Sequence, residues 1–277
     1  MSYIYGGRGY MIGAGMFSWF SYDLPIKERL QSIREAGFSA TGLWWDGDDK
    51  HEQPDIARNI GLQIDNVHAQ FMSPQYNPNS LWLDCLDGED FQKMLISCIE
   101  DCQTHEIPTA VIHITTFSKY AKECAPVTEL GLKRITKIIE VAENKDIKLA
   151  FENLDTLEHL DAIFERFSSS YVGFCYDSGH ENWSHPDKDC LAMYGDRLFA
   201  LHINDNFGDG DTHVLPFDGT INWEEKMQKL KKCKEVDYFT LEVDWNRNHE
   251  KCVIYHNLSA KDYLELAYKK TVDLMDL

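Results

Sequence analysis

Apolar and polar positions along the chain follow two alternating periods. Runs in which nearly every residue is apolar recur at 10–19 (YMIGAGMFSW), 40–46 (ATGLWWD), 62–71 (LQIDNVHAQF), 109–115 (TAVIHIT), 148–154 (KLAFENL), 172–180 (VGFCYDSGH), 198–205 (LFALHIND) and 238–244 (YFTLEVD). Continuous apolar runs of this length suit strands covered on both faces. Stretches with helical spacing lie between them, at 23–37, 52–61, 87–106, 127–146, 156–169, near 188–195, at about 222–235 and at 259–275. In the first of these, Asp23 is the expected cap, Pro25 falls in the first turn and Gly37 ends the helix. Eight strands alternating with helices and returning within one domain predict a closed parallel (β/α)8 barrel over residues 1–277. An open doubly wound sheet would carry a glycine-rich phosphate loop after its first strand, and GAGMFS (13–18) lacks that spacing.

Composition narrows this picture. No apolar run reaches the ~18 residues of a membrane span. The N-terminus lacks the basic region and apolar core of a signal peptide, so a cytoplasmic location is expected. A net charge of −19 repels a phosphate backbone and makes nucleic acid an unlikely partner. The eight cysteines form no CxxC pair and are read as reduced thiols, with Cys98 and Cys102 one helical turn apart as packing residues.

In a parallel barrel the C-terminal ends of the strands and the loops after them form the functional face. Ligand-type residues collect there: His68, His113, Glu152, Asp177, His180, His202, Asp211, His213 and Glu242. The other histidines (His51, His105, His159, His185, His249 and His256) fall on helices or loops and are expected at the surface. A lone histidine in an apolar strand is commonly a satisfied core residue. Carboxylates such as Glu152 in LAFENL, Asp177 in GFCYD and Glu242 in TLEVD are costly to bury without a partner. Three of them in one barrel mouth would repel, and a divalent cation is the simplest way to let all three ionise; mutual pairing or protonation is the alternative. Glu152, Asp177, His202 and Glu242 are therefore the candidate metal ligands, a set suited to Mn²⁺, Mg²⁺, Co²⁺ or Zn²⁺.

This constellation resembles the xylose isomerase-like TIM barrel superfamily, which includes sugar isomerases and epimerases, inosose-processing enzymes and endonuclease-IV-type apurinic endonucleases. The resemblance spans nearly the whole chain. It is carried by FENL (151–154), YDSGH (176–180), LHINDN (201–206), DTHVLPFDGTINW (211–223) and LEVD (241–244), with His202, Asp211, His213, Pro216 and Gly219 as the most specific series. Resemblance to the ketose epimerases implies that Glu152 and Glu242 are catalytic, standing on opposite faces of a substrate carbon to remove and return a proton. It also implies that His180 contacts the substrate beside the metal. Resemblance to endonuclease IV implies instead a three-metal cluster that adds His68, His113, His180, Asp211 and His213 to the ligands. The chain departs from that group by YDSGHENW, where those enzymes have a cysteine-containing aspartate–histidine segment. It departs again by DTHVLP, where they have an aspartate–arginine–histidine–glutamate run. Dehydration of an inosose-type substrate is a further reaction of the superfamily. Relatives are often homo-oligomers.

The aromatic residues Trp19, Trp44, Trp45, Phe71, Trp82 and Trp245 fall near strand ends and lean toward a sugar or polyol, whose apolar ring face packs on aromatic rings. Trp44 and Trp45 are adjacent, so only one can face inward. Trp45 is taken as a substrate contact with His68, His180 and Arg247. Gly42 stands where many relatives place an acidic residue. The acidic loop FGDGDTH and the absence of lysine at the strand ends favour an unphosphorylated ketose, polyol or keto-inositol and argue against Schiff-base chemistry. Arg8 and Arg247 are the nearby cations.

Overall fold

A computed structural model describes residues 13–71, 73, 76–116, 124–245 and 248–277, so Arg8 and Arg247 lie outside the described residues. The strands are β1 (Gly13–Phe17), β2 (Ala40–Trp45), β3 (Gln63–Ala69), β4 (Thr109–Ile112), β5 (Lys148–Glu152), β6 (Val172–Asp177), β7 (Leu198–His202) and β8 (Tyr238–Leu241). They pair in parallel in the order β7-β6-β5-β4-β3-β2-β1-β8. The two ends of that sheet meet: the amide of Ile203 donates to the carbonyl of Thr240 at 2.9 Å, and that of Glu242 to the carbonyl of Ile203 at 3.0 Å. The bridge between Ile203 and Leu241 closes the barrel just below the functional face.

Helices lie between the strands: α1 (Ile26–Ala36), α2 (Gln53–Ile60), α3 (Leu86–Thr104), α4 (Glu129–Lys145), α5 (Glu158–Arg166), α6 (Ser178–Ser184), α7 (Cys190–Tyr194), α8 (Trp223–Leu230) and α9 (Ala260–Met275). The longer ones turn an apolar stripe to the strands. On α3 it is Phe91, Leu95, Cys98, Ile99 and Cys102, and on α4 Leu132, Ile135, Ile138, Ile139 and Ala142. That spacing places them on one side of a 3.6-residue helix. Pro25 rather than Asp23 occupies the cap of α1, without a side-chain bond, because the helix begins only at Ile26. Gly37 ends it with φ 116, a conformation that favours glycine. Sequence periodicity gives no sign of α6. It is seven residues long, with the polar sequence SGHENWS.

The barrel interior is layered. Val111, Ala150, Cys175 and Ala200 form a small apolar group inside β4–β7. Two residues further along β5, β6 and β7, on the same face, stand Glu152, Asp177 and His202. The period of two thus lifts the polar side chains into one ring directly above an apolar one. No helix among the described residues is long and apolar enough to cross a membrane.

Candidate metal centre at the barrel mouth

Glu152 is the hub. Its Oε2 lies 3.1 Å from His113 Nε2, 3.3 Å from His68 Nε2 and 3.3 Å from His202 Nδ1, and its Oε1 lies 3.1 Å from His180 Nδ1. The strand register helps this convergence: Glu152 stands opposite Cys175, one strand from His113 on one side and beside the β6–β7 pair on the other, where Asp177 lies opposite His202. Glu242, the first residue after β8, brings Oε2 to 2.6 Å from His202 Nδ1. Ligand atoms of Glu152, Asp177, His202 and Glu242 all lie within 4.8 Å of one another.

Asp177 is fixed twice. Its Oδ1 accepts the amide of His180 at 2.6 Å, capping α6, and its Oδ2 accepts Asn204 Nδ2 at 2.8 Å. Asn153 brackets its backbone, accepting the Asp177 amide and donating to its carbonyl, each at 2.8 Å. Sequence reasoning missed these two asparagines. Their signal was present as a polar residue immediately after Glu152 and two residues after His202. The cap has a consequence for the site: starting a helix at Ser178 sets His180 back over Asp177, with Nδ1 3.7 Å from Oδ1.

Asp211 and His213 arrive from the loop after β7. The loop folds back through reciprocal 2.9 Å hydrogen bonds between Asp205 and Val214. A Cβ at Gly219 would stand 2.1 Å from Asp205 Oδ1, so only glycine fits at that turn. His213 has φ 44, unusual for a residue with a side chain, and its Nε2 is 2.8 Å from Asp211 Oδ1. His180 Nε2 approaches the same oxygen at 3.7 Å.

Three imidazoles are oriented by backbone carbonyls. Nδ1–H of His68 donates to Ala69 at 2.8 Å, that of His180 to Asn153 at 3.0 Å and that of His213 to Glu242 at 2.8 Å. With Nδ1 so occupied, Nε2 is the nitrogen turned to the mouth, the arrangement that orients metal-binding histidines. The residues fit a cation by a second criterion. Among the described residues, the buried atoms Glu152 Oε1, Glu242 Oε2, His202 Nδ1, His202 Nε2 and Asp211 Oδ1 lack a hydrogen bond of acceptable geometry. Buried polar atoms are normally hydrogen-bonded, and these meet one another as close carboxylate–imidazole ion pairs instead, a cluster of ligand-type atoms that a cation would satisfy. Two further groups of ligand type flank the first: His68, His113 and Glu152 on one side, and His180, Asp211 and His213 on the other.

The electrostatics of the protein groups agree. Burial pushes the Asp177 carboxyl up to about 7, and the neighbouring Glu152 and Glu242 add to the rise against the pull of His180. Burial also opposes ionisation of Glu152 and Glu242, but the charge of His202, joined at Glu152 by His113, outweighs it and holds both groups down. Burial lowers His113 to about 4. It acts the same way on His180 and His213, yet Asp177 and Asp211 lift His180 well above the imidazole range, and Asp211 lifts His213 to about 10.

The aromatic residues divide differently from expectation. Trp44 faces the mouth, its ring 4.5 Å from His68, 5.2 Å from Phe17 and 6.1 Å from Phe71. Trp45, expected as a substrate contact, points the other way. Its Nε1 donates to Asp101 Oδ2 on α3 at 2.8 Å, and its ring packs on His51, outside the barrel. Trp44 shares the inward face of Gly42 two residues earlier, and the register irregularity beside Thr41 and Gly42 leaves its extra residue, Asp65, on β3 rather than β2. Trp82 and Trp245 are core residues, 1% and 3% exposed. His159, expected at the surface, is buried. Its Nε2 donates to the carbonyl of Ala125 at 2.8 Å, and its ring lies against Trp82. Gly42 faces Phe17, whose ring atoms would lie 2.8 Å from an added Cβ, so the ring fills the place of a strand-two side chain.

Comparison with known proteins agrees with this architecture. An uncharacterized protein of Sinorhizobium fredii, y4fM, is 31% identical over 243 residues, covering 73% of this chain and 76% of its own. A D-tagatose 3-epimerase-like protein superposes with a TM-score of 0.69 at 22% identity, over 93% of this chain and 99% of that one. The IolI protein, solved with a zinc atom, superposes with a TM-score of 0.71 at 18% identity, over 95% and 98%. The family model described as xylose isomerase-like TIM barrel matches residues 30–264, and the chain belongs to that family.

Proposed function

We propose that this protein is a metal-dependent isomerase or epimerase acting on an unphosphorylated ketose, polyol or keto-inositol, with Glu152, Asp177, His202 and Glu242 as the metal ligands. The observation that carries the proposal is the convergence of Glu152 and Glu242 on His202 Nδ1, at 3.3 and 2.6 Å, within a buried group of ligand-type atoms that includes Asp177. Solved neighbours support it, since D-tagatose 3-epimerase-like protein and D-psicose 3-epimerase share the fold.

A bound divalent ion supplies positive charge beside adjacent substrate oxygens and so acidifies the C–H bond between them. The chain's own residues then divide the work. Glu242, reaching in from β8, and Glu152, from β5, are the two carboxylates that take and return the proton. His180 hydrogen-bonds a substrate hydroxyl through Nε2, its other nitrogen being held by Asn153. Trp44, Phe71 and Phe17 form an apolar wall along β1–β3 that excludes water and receives the ring face of the substrate. Among the described residues, the ion pairs of Glu152, Asp177, Asp211 and Glu242 are with histidines, and no lysine or arginine joins them.

The test is deuterium wash-in. Purified protein with Mn²⁺ in D₂O should label a carbon next to the carbonyl in at least one member of a ketose and inosose panel. No exchange with any member, together with cleavage of an abasic duplex, would overturn the proposal.

A second reading, phosphodiester hydrolysis by a multinuclear site, is favoured by the two flanking groups of ligand type and by the sharing of Glu152 between two of them. Against it stands the net charge of −19. The metal count per chain separates the two: one tightly bound ion fits sugar chemistry and three fit phosphodiester chemistry.

A further inference from the structure

Cys175 stands two residues before Asp177 on β6, on the same inward face and one layer deeper. It is fully buried. Val111, Ala150 and Ala200, all apolar, pack with it, and its register partners on the neighbouring strands are Glu152 and Ala200. Its polar neighbours are close: Cys175 Sγ, a ring nitrogen of His202 and a carboxylate oxygen of Glu152 all fall within 4.8 Å of one another. Both ring nitrogens of His202, and Glu152 Oε1, are buried and lack a hydrogen bond of acceptable geometry among the described residues.

We propose that Cys175, His202 and Glu152 form an inner donor set that captures a thiophilic divalent ion such as Cd²⁺, one layer below the oxygen-rich centre. The inference rests on that proposed centre, because His202 and Glu152 belong to both sets. Thiolate and imidazole suit soft ions, whereas carboxylates suit hard ones such as Mn²⁺ or Mg²⁺. A hard ion stays with Asp177, Glu242, Glu152 and His202. A soft ion sinks toward the sulfur and takes His202 and Glu152 with it, leaving Asp177 and Glu242 without the rest of their ligand set. In the binding step the Cys175 S–H bond breaks, its proton passes to solvent and a sulfur–metal bond forms, with no change of oxidation state. The depth of the thiol thus becomes a discriminator between ions at the same mouth, and a soft ion held there silences the site. A buried cysteine ordinarily acts as a small packing residue, and the variants below tell the two roles apart.

Metal-stripped protein is titrated with Cd²⁺ and, separately, with Mn²⁺, while the ultraviolet sulfur-to-cadmium charge-transfer absorption is followed. The wild type should develop a saturable band at one equivalent, and Cys175→Ala should lose it. Cys175→Ser, close to the native shape, should also lose it, which guards against misfolding of the alanine variant. Mn²⁺ affinity should change by less than ~3-fold in both variants, while displacement of Mn²⁺ by Cd²⁺ should need at least ~10-fold more Cd²⁺ than in the wild type. A band that persists in both variants, or Cd²⁺ binding without a band in the wild type, overturns the inner set. Normal Mn²⁺ binding together with no cadmium–sulfur band on Cd²⁺ addition sinks this inference alone, whereas failure of Mn²⁺ to bind the wild type sinks the proposed centre and this inference with it.

Discussion

The two sides of the barrel mouth are built from opposite chemistry. From β3 round to β8, strand ends and following loops carry His68, His113, Glu152, Asp177, His180, His202, Asp211, His213 and Glu242. From β1 to β2 they carry Phe17 and Trp44, with Phe71 after β3 closing the gap. The two sides touch where Phe17 sets its edge 4.8 Å from His202, Trp44 lies 4.5 Å from His68, and Phe71 lies 5.3 Å from His68 and 4.2 Å from His113. A ligand seated between them meets donors on one face and aromatic rings on the other. A sugar or polyol has that duality, with hydroxyls in one direction and C–H bonds in another. The difference also assigns separate tasks. Under the proposed function, the donor side would carry the chemistry and the aromatic side would set how well a substrate is held.

The largest expected effect comes from breaking the donor side at its hub. Glu152→Gln keeps the shape but removes the charge shared by His68, His113, His180 and His202. Deuterium exchange should fall by about 1000-fold or more, and bound metal should fall with it, as read by elemental analysis of the purified variant. Exchange at the wild-type rate would remove Glu152 from the catalytic set.

Next in size is the pH dependence of metal loading. Of the proposed ligands, Asp177 is raised to about 7 and His202 stands above the imidazole range. These groups hold protons near neutrality that an ion must displace. Raised values mean that protonated forms dominate below them, so affinity should climb as pH rises, by about tenfold per pH unit for each proton released. Calorimetry of Mn²⁺ binding in two buffers of different ionisation heat should show net proton release at pH 7. Uptake, or none, would mean that the donor groups bind the ion already deprotonated.

How much of this was legible in the sequence follows from the same two sides. The donors were readable because burying a carboxylate in an apolar strand needs a reason, and Glu152, Asp177 and Glu242 each broke an otherwise apolar run. Barrel closure was readable from the count of alternating elements. The aromatic side was harder. Whether Trp44 or Trp45 faces inward depends on strand parity, and in a strand apolar on both faces the alternation of polar and apolar residues that would reveal that parity is missing. The helix at Ser178–Ser184 carries no apolar period and is set by its cap, a contact between Asp177 and the His180 amide that doubles as site geometry. His159 did carry a signal. It precedes Ile163 by one helical turn, on the buried stripe of α5.

The tryptophan pair turns that parity into a test of moderate size. Trp44→Ala should raise KM by about tenfold with kcat little changed, because it removes a surface that grips substrate and reacting complex alike. Trp45→Ala should leave KM unchanged but destabilise the fold by about 3–5 kcal/mol, measured by urea denaturation, because it empties a buried site beside α3. The reverse outcome, with KM moved by Trp45 and not by Trp44, would put the apolar wall on the wrong residue.

Gly42→Ala should have the smallest effect and asks whether the two sides are coupled. The new methyl would stand 2.8 Å from the Phe17 ring, which must tilt to admit it. Overpacking of this kind costs about 1–3 kcal/mol, seen as a lower thermal midpoint. Phe17 presents its edge to His202, so a tilted ring presses on a metal ligand. His202 is also held from the other side, by Glu152 and Glu242, and two carboxylates on one imidazole resist displacement better than one aromatic contact can impose it. Metal affinity should therefore change by less than ~3-fold even as stability drops, the anchoring shell outweighing the aromatic push. A tenfold loss of metal would show instead that the aromatic wall positions His202, and that the two sides of the mouth act as one unit.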